Sequence, residues 1–97
     1  MASKALSRAF PSALKEVRLH LCQTGAASAG ARQFVQSSYA PIKQSNPELP
    51  FLIREASGTP ARIFARFERG VERHAELDGL SAQDVEKKVA DLIGGAN

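Results

Sequence analysis

The sequence predicts an α/β domain built on a four-stranded mixed sheet, with elements in the order strand, helix, strand, strand, strand, helix. Three observations carry that expectation. Residues 16–22 (EVRLHLC) alternate strictly and are followed at once by a long stretch whose apolar positions recur at helical spacing. Residues 61–67 (ARIFARF) alternate again, between Gly/Pro turn chemistry and Gly70. The chain has 97 residues, which is one core and no more, so every element must share it.

Taken in order, the first strand spans Glu16 to Cys22, with Val17, Leu19 and Leu21 on one face and Arg18 and His20 on the other. A short Gly-containing loop follows, and Ser28 stands where an N-cap belongs. From Ala29 to about Ser45, Ala31, Phe34, Val35, Tyr39 and Ile42 mark one face of a helix, which Pro41 is expected to kink or restart. Pro50 opens a second strand running to Ala56. Ser57-Gly58-Thr59-Pro60 is a turn, and Ala61 to Phe67 is the third strand. Gly70 turns the chain into a charged fourth strand, Val71 to Leu77, suited to a sheet edge. Ser81 and Asp84 form a capping box ahead of Val85, Val89, Leu92 and Ile93, and Gly94-Gly95 stop that last helix.

Composition narrows the function classes. Apolar content of 43% and charged content of 24% are those of an ordinary globular chain, with no run long enough to span a membrane. A single cysteine excludes an intramolecular disulfide and any multi-cysteine metal site, and His20 and His74 are far apart in sequence. The net charge of +3 resides in the N-terminal arm, where Lys4, Arg8 and Lys15 stand without an acid. We therefore divide the chain into a basic arm, 1–15, and a domain, 16–95. The arm is acid-free, rich in Ala and Ser, and places Leu6, Phe10 and Leu14 at a four-residue spacing, the character of a mitochondrial import signal.

A strand–helix–strand crossover, an added hairpin and a returning helix make the outline of a thioredoxin-like fold, with the helix between the second and third strands reduced to a turn. That fold places a cis-proline just before its third core strand, and Thr59-Pro60 occupies the place, so Pro60 is expected to be cis. Both helices should lie on one face of the sheet.

The segments VRLHLCQTGAASAGARQFV, NPELPFLIRE and TPARIFARFERG resemble the small thioredoxin-like accessory subunit family of mitochondrial respiratory complex I, and the resemblance covers roughly residues 14 to 94. The wider family includes certain mitochondrial ribosomal proteins. The resemblance implies a structural subunit without a cofactor, peripheral to the inner membrane on the matrix side, near the NADH-oxidising end. Its implied partners are other complex I subunits, foremost the large iron–sulfur subunit of the NADH-oxidising module. Some relatives carry a second cysteine where this chain has Ala56, and its absence here argues against a thiol–disulfide role.

Cys22 ends the first strand ahead of a helix N-terminus, where thioredoxins hold their nucleophile. The resolving position of the C-x-x-C pattern is Gly25, so the expectation is an inherited, idle thiol. His20 has no second catalytic group nearby in sequence, and a polar surface role is expected. With the middle helix missing, the second sheet face should be open. Alternation assigns it Arg18, His20, Leu52, Arg54, Arg62, Phe64 and Arg66, and Leu52 and Phe64 are expected side by side. Arginines around an aromatic are the composition of an interface. A complex I accessory subunit docking by this face is the leading expectation, without nucleic acid and without membrane insertion. A mitochondrial ribosomal subunit of the same fold is the alternative, but the body has little excess charge for phosphate contacts. A monothiol oxidoreductase is third.

Overall fold

A computed structural model describes residues 10–94. The strands are β1 (Leu14–Leu21), β2 (Phe51–Glu55), β3 (Arg62–Phe67) and β4 (Glu72–Glu76), and the helices are α1 (Ala29–Ser45) and α2 (Ala82–Gly94). The sheet order is β2-β1-β3-β4. β1 and β2 run parallel because the 17-residue α1 carries the chain back between them. The β1–β3 and β3–β4 pairs are antiparallel. This is the expected element order and mixed sheet, and no helix forms between β2 and β3.

The register sorts every side chain to one of two faces. Val17, Leu19 and Leu21 of β1 join Phe51 of β2 and Ile63, Ala65 and Phe67 of β3 in the buried core. Phe34 and Ile42 of α1 and Val85, Val89 and Ile93 of α2 close the same core, so both helices lie on that one face. Helix and loop approach closely at Gly30. A Cβ there would collide with the Leu80 carbonyl oxygen, and Gly79 N–H donates to the Ala27 carbonyl at 2.8 Å beside it.

Several local expectations change. β1 begins at Leu14, two residues early: Leu14 is buried and pairs with Phe67 across a β-bulge. Phe10 packs on the core, and its N–H donates to Asn46 Oδ1 at 2.8 Å. The Phe10 and Leu14 spacing therefore reflects a turn and a strand start, not a helix; Leu6 and the rest of residues 1–9 lie outside the described residues. Ser28 precedes α1, but its hydroxyl accepts from Cys22 N–H at 3.0 Å instead of capping the helix. Pro41 sits inside α1 without ending it. Ser81 caps α2 as expected, accepting from Asp84 N–H at 3.2 Å. Gly94 is the last residue of α2, and Gly95 lies outside the described residues.

Pro60 is not cis, since no peptide bond among the described residues is. The connector accounts for this. Thr59 N–H donates to the Ala56 carbonyl at 3.3 Å around Gly58, whose φ is 75°. The trans bond, intrinsically preferred by about 0.5–1 kcal/mol, then leads to Ala61, whose N–H donates to Asp78 Oδ1 at 2.7 Å. The thioredoxin-like reading loses its local signature here and keeps only its element order and shared helical face.

Candidate docking face and the Cys22 cradle

The face opposite the helices carries Arg18 and His20 of β1, Leu52 and Arg54 of β2, and Arg62, Phe64 and Arg66 of β3. All seven residues assigned by alternation are on it, and no helix among the described residues covers it. Arg54, Arg62 and Arg66 are exposed, while Arg18, His20, Leu52 and Phe64 are half-buried. The pairing Leu52↔Arg18↔Phe64 corrects one expectation: Arg18 stands between Leu52 and Phe64, so the two apolar side chains are not neighbours.

The face is less basic than those seven residues imply, because β1 and β4 add acids to it. Arg18 reaches Glu72 at 2.9 Å and Glu16 at 3.4 Å. Arg62 reaches Glu76 at 2.9 Å, and Arg66 reaches Glu16 at 3.6 Å. Exposed pairs of this kind contribute about 0–1 kcal/mol each, so their main effect is to hold the guanidinium groups in place and cancel their charge. Arg54 alone among the four arginines has no hydrogen-bond or ion-pair partner among the described residues.

An aromatic row crosses the centre of the face. The His20 and Phe64 rings lie 5.0 Å apart between centroids, and Phe64 and His74 lie 5.7 Å apart. Arg18 stacks over Phe64 at 5.6 Å. Glu16 of β1 and Glu72, His74 and Glu76 of β4 were the residues that sequence reasoning missed. Their signal was the alternation that runs on from Arg18 to Glu16 and the charged alternation of β4, which β3–β4 pairing places opposite Arg66, Phe64 and Arg62.

Cys22 follows β1 and is buried, 8% exposed. Its sulfur accepts from Gly25 N–H at 3.2 Å and Gly58 N–H at 3.3 Å. Hydrogen bonds from the Thr24, Gly58 and Gly25 backbone, in that order of weight, hold the thiol down at about 7 against the opposing effect of burial. Arg32 braces the same loop, donating from Nη1 to the Cys22 carbonyl at 3.0 Å and the Gly25 carbonyl at 2.8 Å. Arg32, half-buried on α1, is thereby committed to this loop. Gly25, at the resolving position, supplies an N–H and no thiol, and the chain holds no second cysteine. The cradle can keep a thiolate, but it cannot close an intramolecular disulfide.

Among the described residues no three metal-ligating side chains come together, and no helix is long and apolar enough to cross a membrane. Fold and surface define a small α/β domain whose distinctive feature, among the described residues, is an uncovered, internally ion-paired sheet face. The chain belongs to the family of the Mitochondrial ribosomal protein L51 / S25 / CI-B8 domain, whose signature matches residues 31–82. It is 48% identical over 85 residues to the NADH-ubiquinone oxidoreductase 10.5 kDa subunit of Neurospora crassa, covering 88% of this chain and 90% of that one. It is 38% identical to the NADH dehydrogenase (ubiquinone) 1 alpha subcomplex subunit 2 of Mus musculus, over 98% of both chains. The Arabidopsis thaliana protein of the same name is 45% identical over 82% of each chain.

Proposed function

We propose that this chain is a non-catalytic accessory subunit of mitochondrial respiratory complex I that works by filling a docking site with its open sheet face. The observation that carries the reading is the near full-length similarity to proteins named as subunits of that enzyme in a fungus, a plant and a mammal. Its place is on the matrix side, peripheral to the inner membrane, against the large iron–sulfur subunit of the NADH-oxidising module. The lone thiol supports a non-catalytic role, because dithiol exchange needs the resolving cysteine that Gly25 replaces. The ribosomal alternative is disfavoured by the face itself, where three of four arginines are already neutralised by glutamates.

Native gel electrophoresis of mild-detergent extracts of mitochondria, with mass spectrometry of the excised bands, tests this assignment. The protein should co-migrate with complex I, in Cys22→Ser as in wild type. Protease treatment of mitoplasts should leave it protected. Sedimentation with ribosomal subunits and absence from the complex I band would contradict it.

A further inference from the structure

Resting on the docking reading above, we infer that the partner of the open sheet face is a protein surface that sets one carboxylate against Arg54 and uncharged side chains over the Phe64 row. The charges on the face that remain available decide what a partner can bring to it. Arg18, Arg62 and Arg66 are each held by a glutamate of this chain, at 2.9 to 3.6 Å. A partner carboxylate aimed at any of them would meet Glu16, Glu72 or Glu76 as well, and like charges brought together oppose docking. Arg54 is exposed on β2 and has no such companion. Among the described residues it is the one cation of the face whose charge a partner can satisfy without displacing an existing pair.

The remainder of the face sets the rest of the partner's chemistry. The ion-paired residues form a neutral field around His20, Phe64 and His74, whose rings sit in a continuous row. Covering such a field costs least when the approaching groups are uncharged, because they leave the existing pairs intact. An aromatic or aliphatic side chain seated on Phe64 adds apolar burial. A polyanion such as RNA is the poorer match, since it needs several free cations along its path and finds one on this face among the described residues.

The test compares epitope-tagged full-length variants for the fraction retained in the complex I band after a salt wash. Arg54→Glu should lower retention about tenfold or more, since it replaces attraction by repulsion. Swapping one internal pair, Arg62→Glu with Glu76→Arg, keeps the field neutral and should retain the protein within about twofold of wild type. Arg54 is exposed, so a thermal melt matching wild type will show that Arg54→Glu folds. Should Phe64→Ser be released while Arg54→Glu is retained, this inference falls and the docking face stands. Retention of both variants at wild-type level removes the docking face as well. Equal loss from the swapped pair and from Arg54→Glu overturns the singling out of Arg54. Binding of poly(U) that Arg54→Glu abolishes would replace the protein partner with a nucleic acid.

Discussion

Backbone N–H groups from two separate loops set the chemistry of the Cys22 sulfur. Those of Thr24 and Gly25 come from the turn after β1, and that of Gly58 comes from the connector before β3. Hydrogen bonds to a thiolate favour it over the thiol, which brings the pKa from 9.0 to about 7. An acid whose folded value is depressed adds stability that is full above the unfolded value and is lost as pH falls through the folded one. The Cys22 contribution should therefore grow from pH 7 to pH 9 and be absent in acid. Ultraviolet thiolate absorbance should titrate near pH 7, and Cys22→Ser should lose the pH-dependent part of the unfolding free energy. A midpoint near 9 would mean the N–H groups do not act on the sulfur. The position of Cys22 at the end of a strand was legible in the sequence, because alternation stops there. The cradle was not, because Gly58 lies 36 residues away and only the sheet brings it near. Ser28 misled for a related reason: a hydroxyl at a helix start can serve whichever N–H is nearest, and here that is Cys22 N–H.

At the scale of elements, the tightest constraint is the seam between the start of α1 and the turn before α2. A Cβ on Gly30 would sit 2.9 Å from the Ser81 carbonyl carbon and closer still to the Leu80 carbonyl, and both are backbone. Gly30→Ala should therefore force the helices apart and destabilise the fold by about 1–3 kcal/mol. For a domain of this size that is a fall of about 4–8 °C in Tm per kcal/mol, measurable by thermal denaturation. An unchanged melt would show that the seam yields freely. The alternating strands and the Ser81 cap were readable because a period of two and a capping residue are local signals. Pro60 was not, because the isomer of one bond follows from how the shortened connector meets Asp78 on another element. The start of β1 was hidden in the basic arm, since Leu14 takes its strand character from pairing with Phe67 and its neighbours give no sign of it.

For the whole molecule, the division of labour is between two faces of one sheet. One face and both helices make the core, and the other carries the ion-paired arginines around the Phe64 row. Alternation alone sorted Arg18, His20, Leu52, Arg54, Arg62, Phe64 and Arg66 onto the second face, because a strand buried on one side leaves no other register. What it could not supply was the charge balance, since that depends on which strand lies beside β3 and in what register. Photo-crosslinking from the assembled enzyme tests the central claim most directly. A benzophenone amino acid placed at His20, on the open face, is compared with one placed at Gln33, on the exposed surface of α1. The account predicts an adduct from position 20 with a complex I subunit, the large iron–sulfur subunit of the NADH-oxidising module, and none from position 33. Adducts from position 33 with none from position 20 would contradict it, and would move the interface to the helical side.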